Sequence, residues 1–427
     1  MPTDLPVIDP GLLDDLVWRG LVAHSTDPES LREALTAGSV HYYVGFDPTA
    51  PSLHMGNLVQ IVTAMRLQRG GHTPYVLVGG ATGMIGDPKE SGERVLNTAE
   101  TVKDWVERVR RQIEPFLSFE GANAATMVNN LDWTESLSTI DFLRDIGKHF
   151  PVNRMLARDV VRTRLEAGIS YTEFSYVLLQ SMDFLNLFRE HGVTLQFGGS
   201  DQWGNLTGGV ELIRRADGGH VHAFATPLIT KADGTKYGKT EGGALWLDAE
   251  MMSPYAFYQF WLNVEDEKVE ELLKVFTFLP RAEIEALVAE HTEKPFLRQA
   301  QRRLAAEVTT LVHGAERTRG IEAASAALFG GEPLGDVDVA TLIDALATAR
   351  PLVEAGRDKT LTDLFLEAGL VQSRSEARRT FAEGGAYVNN QRADDADRVP
   401  TEDDYLGGQV LVLRRGKKNF AGVRVAR

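Results

Sequence analysis

The chain has 427 residues, 43% hydrophobic and 25% charged, the balance of an ordinary globular protein long enough for two or three cores. Its formal charge of −15 argues against a generic nucleic-acid binder, and zero cysteines exclude disulfides and Cys-ligated zinc. No apolar run approaches the ~20 residues of a membrane helix and no basic-then-apolar leader opens the chain, so a cytoplasmic protein is expected.

The leading segment reads as two short helices, Leu12–Leu21 and Pro28–Ala37, the second capped by Asp27. His41–Phe46 reads as a strand ending at Asp47, after which Asp47-Pro48 and Ala50-Pro51 break the backbone. Ser52 is expected to cap a helix whose apolar residues run from Leu58 to Leu67 and stop at Gly70-Gly71. Pro74–Gly80, a continuous apolar run bounded by glycines, reads as a buried parallel strand that completes a βαβ unit. The helix entrance suits a phosphate. Its free N–H groups and dipole favour an anion, Gly56 lets a nucleotide lie on the backbone, and His54 supplies a donor. A simple cap or surface histidine is the alternative there.

Gly79–Pro88 departs from the dinucleotide pattern G-x-G-x-x-G and reads as a ligand-approaching loop, with Asp87 beyond the C-terminal end of a strand. Thr101–Leu117 is amphipathic, with Val102, Trp105, Val106, Val109, Ile113 and Phe116 on one face. Helices are expected over Ser138–His149, Arg154–Ala167, Tyr171–Glu190 and Asn205–Arg215, with a strand at Val193–Phe197. Tyr176, Gln180 and Asp183 stand at i, i+4 and i+7, either a solvent face or a half-buried binding edge. Pro227–Thr240 is rich in glycine and lysine but fails the Walker spacing, because Asp233 stands where a glycine is needed. Its lysines suit a polyphosphate; a solvated loop is the alternative.

Residues 253–330 read as helical, and 330–359 as a linker around one helix at Val339–Ala347. The tail, 358–427, holds 12 basic against 11 acidic residues, which leaves −16 on 1–357. It combines a capped helix from Ser373 with an Asn389-Asn390 hairpin and a second hairpin with a basic turn. A basic helix start beside a basic hairpin tip can contact RNA phosphates, or can be a solvated face and nothing more.

His54-Met-Gly-Asn57 and Lys236-Tyr-Gly-Lys239-Thr240, with Gly198–Asn205 between them, resemble the HIGH and KMSKS signatures of class I aminoacyl-tRNA synthetases. With Tyr43–Ala50, Gly79–Asp87 and Ser253–Trp261 added, nearly the whole chain resembles the bacterial tyrosyl-tRNA synthetases, and its tail the RNA-binding domain named after a small-subunit ribosomal protein. The resemblance implies an α/β protein. A Rossmann-like parallel-sheet catalytic domain would span 1–230, with a helical dimer-interface insertion at about 101–165. The KMSKS-type loop and an α-helical domain would fill 231–330, with a linker at 331–357 and a small α+β RNA-binding domain at 358–427. The implied reaction joins L-tyrosine to ATP, with Mg²⁺, as tyrosyl-adenylate plus pyrophosphate, then passes tyrosine to the 3′ end of tRNA(Tyr). The implied protein is a cytoplasmic homodimer with no resident metal and no membrane contact.

By the same resemblance Tyr43 and Asp183 meet the tyrosine phenol, and Asp87, Tyr176 and Gln180 its α-ammonium group. Gln202 lies near the carboxyl, and Asp47 near both carboxyl and ribose. Thr49 and His54 take the γ-phosphate, Arg94 the pyrophosphate, and Lys236, Lys239 and Thr240 a mobile loop. Gly56, Asn57, Asp201 and Lys239 belong to the ATP site, while Arg374, Arg378, Arg379, Arg414, Lys417 and Lys418 belong to tRNA contact. Three departures stand out. HIGH ends in Asn57, Val44 replaces a polar residue found in some members, and the segment Lys89–Arg94 is one residue shorter than in some relatives, which leaves open whether Lys89 contacts pyrophosphate. The rivals are a tryptophan-specific synthetase, another nucleotidyltransferase, and an RNA-binding relative that has lost catalysis. Tyr43 with Asp183 and the retained His54 and lysines speak against them.

Overall fold

Six short strands make the sheet on which the first part of the chain is built: β1 (His24–Ser25), β2 (His41–Phe46), β3 (Thr73–Val78), β4 (Thr126–Asn129), β5 (Leu195–Gly199) and β6 (His222–Thr226). In this computed structural model residues 6–88, 96–166, 168–235, 244–330, 333–334, 337–416 and 419–426 are described. They fall into two compact units, 1–251 with 265–288 and 252–264 with 289–427.

The strand order is β1-β6-β5-β2-β3-β4, parallel throughout except for the antiparallel edge strand β1. The chain leaves β2 outward through β3 and β4, then returns to build β5 and β6 on the other side. The reversal lies between β2 and β5, where open α/β sheets hold their ligands. β2 pairs with β3 over six residues but with β5 at only Tyr42↔Leu195 and Tyr43↔Gln196, so the two strands part toward their C-terminal ends.

Two helices flank that parting. Met55–Arg69 is buried nearly all round, from Leu58 and Val59 to Leu67 and Gln68, as a helix sandwiched between sheet and neighbours must be. Tyr171–His191 buries Val177, Leu178, Phe184 and Leu187 together with Tyr176 and Asp183. Arg19 ties the N-terminal helix Leu12–Trp18 to the segment 265–288, donating to Asp15 and to the carbonyls of Lys274, Thr277 and Leu279.

Several elements differ from the sequence reading. Residues 101–165 are not helical throughout: Thr126–Asn129 is the sheet's edge strand β4, in register with Tyr75–Val78. Residues 138–149 form three short pieces, Thr139–Asp141, a π turn at Phe142–Ile146 and a 3-10 turn at Gly147–His149. Arg154–Ala167 divides into Val152–Leu156 and Asp159–Arg164. Thr82–Ile85 inside the glycine-rich stretch is a helical turn, and β6 was not foreseen as a separate strand.

In the second unit, Pro254–Leu262 packs with Gln299–His313, Ala315–Ser325 and Val339–Ala349. A five-stranded sheet follows: β7 (Val353–Ala355), β8 (Ala386–Val388), β9 (Gln391–Arg392), β10 (Val410–Arg415) and β11 (Asn419–Val425), in the order β7-β11-β10-β8-β9. Asn389 and Asn390 both take positive φ between β8 and β9, as a two-residue hairpin turn requires. The stretch read as a linker contains the helix Val339–Ala349 and strand β7, which pairs in parallel with β11. Leu361, Leu364, Phe365 and Phe381 from two helices close the core over this sheet.

Candidate active site

A cleft opens where β2 and β5 part. It is lined by Tyr43, Asp47, Thr49, His54, Gly56, Asn57, Asp87, Tyr176, Gln180, Asp183, Asp201 and Gln202, all singled out in the sequence and drawn from four separate segments. Lys236, Lys239, Thr240, Arg94, Lys417 and Lys418 lie outside the described residues, as does Lys89.

At the floor Asp183 is 1% exposed and accepts from Trp133 Nε1 at 2.9 Å and Asn130 Nδ2 at 3.0 Å. Neither donor was foreseen. Both follow the unforeseen strand β4, and Asn130 is held in turn by Thr82 Oγ1 at 3.0 Å and the Ala81 N–H at 2.7 Å. Burial pushes the Asp183 carboxyl up to about 7 against the pull of these donors. Tyr43 stands beside it, fully buried, its phenol held well above its ordinary pKa by burial and by the Asp183 and Asp47 carboxylates. A dry carboxylate held between two neutral donors, next to a phenol, is built to accept one more hydrogen bond.

One wall is acidic. Asp47 accepts from Tyr176 Oη at 2.5 Å and from Thr82 Oγ1 at 2.6 Å. Gly79 has no room for a side chain here, since a Cβ would run into Thr82 Oγ1 and Asp47 Oδ1. Asp87 accepts from Gln202 Nε2 at 2.8 Å and Asn205 Nδ2 at 3.2 Å. The Tyr176–Gln180–Asp183 stripe therefore lines this wall and the floor and does not face solvent; Tyr176 is 5% exposed.

The helix entrance departs from expectation in three respects. His54, not Ser52, is the N-cap; Ser52 Oγ bonds the Leu53 carbonyl and Gln112 instead. The first N–H groups are not free, for Met55 donates to the Leu245 carbonyl, Gly56 to His54 Nδ1 at 3.1 Å, and Asn57 and Leu58 to the His54 carbonyl. Glycine at 56 is demanded by the histidine, because a Cβ there would lie 2.9 Å from His54 Cε1. With Nδ1 accepting, the ring proton sits on Nε2, and burial holds the imidazole pKa below its ordinary value, so the ring is neutral near pH 7. Asn57 Oδ1 accepts from the His54 N–H at 3.0 Å, which completes a capping box and leaves the Asn57 amide nitrogen to donate elsewhere. The entrance thus offers a neutral N–H donor and a helix dipole to an anion, with no row of bare amides.

The chain at 245–247 returns to the same place. Leu247 donates to the Leu53 carbonyl at 2.9 Å, making an antiparallel bridge of His54 with Trp246, and the two rings lie 6.3 Å apart. On the other flank Ala232 N donates to Glu265 at 2.7 Å. The C-terminal flank of residues 236–243 is therefore hydrogen-bonded beside His54. Trp246 was not picked out in the sequence.

The chain is similar to known proteins. Residues 36–330 match the family model described as class I tRNA synthetases (W and Y), and residues 343–423 match the tyrosine–tRNA ligase SYY-like C-terminal domain. A tyrosine–tRNA ligase of Streptomyces coelicolor is 61% identical over 417 residues, covering 97% of this chain and 99% of its own. One from Kineococcus radiotolerans is 60% identical, covering 96% and 98%. The chain belongs to the class I tyrosyl-tRNA synthetases. The truncated mitochondrial tyrosyl-tRNA synthetase of Aspergillus nidulans has the same fold, with a TM-score of 0.67 at 31% identity over 74% of this chain and 94% of its own. A tryptophan-specific enzyme and a non-catalytic RNA-binding relative find no support among these relatives.

In the second unit of the synthetase the tail arginines are unevenly available. Arg374 pairs with Asp363, and Arg378 with Asp397 at 3.1 Å. Arg414 lies over the Tyr387 ring at 4.8 Å, while Arg379 is exposed on its helix.

Proposed function

We propose that the cleft binds L-tyrosine with its phenol on Asp183 and Tyr43 and its ammonium group among Asp87, Tyr176 and Gln180, and that ATP lies between His54 and Asp201. The observation that carries this is the Asp183 carboxylate, 1% exposed and flanked by two donors at the floor of the cleft beside the Tyr43 phenol. Tyrosine brings the one hydrogen bond that the floor lacks. The tyrosine carboxylate attacks the ATP α-phosphorus, forming an O–P bond as the bond to the bridging oxygen breaks and pyrophosphate departs. The carboxylate is ionised at neutral pH, so no general base is required. The rate then comes from alignment and from donors that meet charge growing on the pyrophosphate: His54 Nε2–H, Thr49, and the amines of Lys236 and Lys239, with Thr240 and Arg94. Asn57 and Asp201 face the ribose. Mg²⁺ enters on the phosphates of ATP as part of the substrate; among the described residues no group of three or more acidic or histidine side chains could hold a metal.

Tyrosine then passes to the 3′ end of tRNA(Tyr), with the tail, through Arg379, Arg414, Lys417, Lys418, Arg374 and Arg378, contacting the tRNA backbone. Such substrates and a cysteine-free chain suit the cytoplasm. Tyrosine-dependent ATP–pyrophosphate exchange tests the reading. Tyrosine should support exchange and tryptophan should not; the reverse result rejects it.

Protonation of Asp183 gives a second check. The phenol O–H donates to the ionised form, and binding holds that form, so tyrosine uptake should release a proton. Affinity for tyrosine should fall as pH drops below about 7, approaching about tenfold per pH unit, while affinity for phenylalanine does not. Equilibrium titration from pH 5.5 to 8.5 reads this directly, and a flat tyrosine profile speaks against the assignment.

The homodimer is proposed from apolar side chains left in solvent between 140 and 171: Ile140, Leu143, Val152, Leu165 and Tyr171, each at least 46% exposed. Trp105 is a weaker anchor, since it is half-buried on a helix whose Val102, Val106 and Val109 face the core. The double variant Ile140→Asp/Val152→Asp should sediment as a monomer where the parent sediments as a dimer. A dimeric variant would move the interface elsewhere.

A further inference from the structure

Arg158 sits between the short helices Val152–Leu156 and Asp159–Arg164, in a stretch whose pattern suggested no chemistry. Its Nη2 donates to Asn205 Oδ1 at 2.5 Å. Asn205 is 2% exposed and has one amide to spend. With Oδ1 committed to the guanidinium, Nδ2 must face the other way, where it donates to Asp87 Oδ1 at 3.2 Å and Gln202 Oε1 at 2.7 Å. Gln202 in turn donates to the second Asp87 oxygen at 2.8 Å. The guanidinium lies against Gly204, where a Cβ would come within 2.9 Å of Nη2. Burial lowers the Arg158 pKa while the Asp87 charge supports its cationic form.

We infer that Arg158 is a positioning residue for tyrosine activation: through the Asn205 amide it orients Asp87, which Gln202 also holds, to receive the ammonium group of the substrate. The inference rests on the assignment of Asp87 to the ammonium group. The chain of donors explains why an arginine about one side chain removed from the substrate should matter. Without it, Asn205 Oδ1 is a buried acceptor with no donor, and rotating the amide to relieve this withdraws Nδ2 from both partners. The guanidinium's own charge opposes an arriving ammonium, but at that distance in a half-exposed site the effect is screened to a few-fold at most. Loss of orientation therefore dominates.

The test uses the full-length enzyme and two ligands that differ only in the ammonium group. L-Tyrosine is assayed by its KM in pyrophosphate exchange, and 3-(4-hydroxyphenyl)propionate by its Ki as a competitive inhibitor. Arg158→Met should raise the tyrosine KM about tenfold and leave that Ki within about twofold, because only tyrosine uses the ordered Asp87. Arg158→Lys, which keeps a donor of lesser reach, should fall between. The unchanged Ki in the same sample reports an intact site, so a misfolded variant cannot mimic the result. Asp87→Asn separates the two claims. A collapsed KM-to-Ki contrast in Asp87→Asn beside a parental contrast in Arg158→Met overturns the positioning role and leaves the ammonium assignment standing. A parental contrast in both overturns both, and an equal rise of KM and Ki in Arg158→Met overturns the positioning role as well.

Discussion

Asp183→Asn should raise the KM for tyrosine in pyrophosphate exchange by roughly a hundredfold, with a much smaller change in kcat. The substitution keeps the size of the side chain and removes the charge. Trp133 Nε1–H and Asn130 Nδ2–H both point at the present oxygens, so an amide must turn its NH₂ group onto one of them. The pocket then loses a charge-assisted hydrogen bond to the phenol and gains a frustrated donor pair. Together these are worth about 3 kcal/mol, hence the hundredfold figure. The phenol contact exists before and during the attack on phosphorus, so its loss should appear in binding more than in turnover. Phenylalanine never made the contact, and its exchange activity should change little, so discrimination between the two amino acids narrows from the tyrosine side. A parental KM for tyrosine would place the phenol elsewhere in the cleft.

His54→Ala should do the opposite: a fall in the rate of adenylate formation of roughly 10²–10³-fold with the tyrosine KM close to parental, as expected for a donor that meets charge only as pyrophosphate leaves. The substitution has a complication, because His54 is also the cap of Met55–Arg69, and losing a cap costs about 1 kcal/mol of stability. His54→Asn separates the two roles. Asparagine caps a helix well but is too short to reach where the imidazole Nε2–H reaches, so its melting temperature should stay near that of the parent while the rate stays low. Single-turnover adenylate formation and thermal melting on the same preparations measure both. Because the ring is neutral with Nδ1 occupied, the His54-dependent part of the rate should not vary between pH 7 and 8.5.

What could be read from the sequence was what local pattern controls. The spacing of Tyr176, Gln180 and Asp183 placed them on one helical stripe, and β2 with its proline-broken exit was plain from alternation and from Asp47-Pro48. What stayed hidden depends on distant partners. Ser52 and His54 are both able to cap; the helix starts after His54 because Leu245 and Leu247, almost two hundred residues away, bond Met55 and Leu53 on either side of it and hold His54 extended. β4 is four residues long with no strong alternation, and it is a strand because β3 offers it an edge, so Asn130 and Trp133 at its exit carried no local signal of reaching Asp183. β7 is the same case in the tail, three residues made regular by β11. Arg158 was invisible for a further reason: its importance lies in which way a neighbouring amide is turned, and no periodicity encodes that.

The two-pair junction of β2 with β5 has a practical consequence for re-engineering. The groups proposed to surround the aromatic ring of the substrate hang on β2 and on the helix Tyr171–His191, and past Tyr43 no ladder joins β2 to β5 at the gap. Bulk added to an amino acid at its para position presses on a seam, not on a closed weave. A designer seeking to load a longer side chain can carve at Tyr43 and Asp183 while six paired residues between β2 and β3 and five between β5 and β6 keep each half intact. Widening by such substitutions should therefore change which monomer is charged well before it changes the melting temperature.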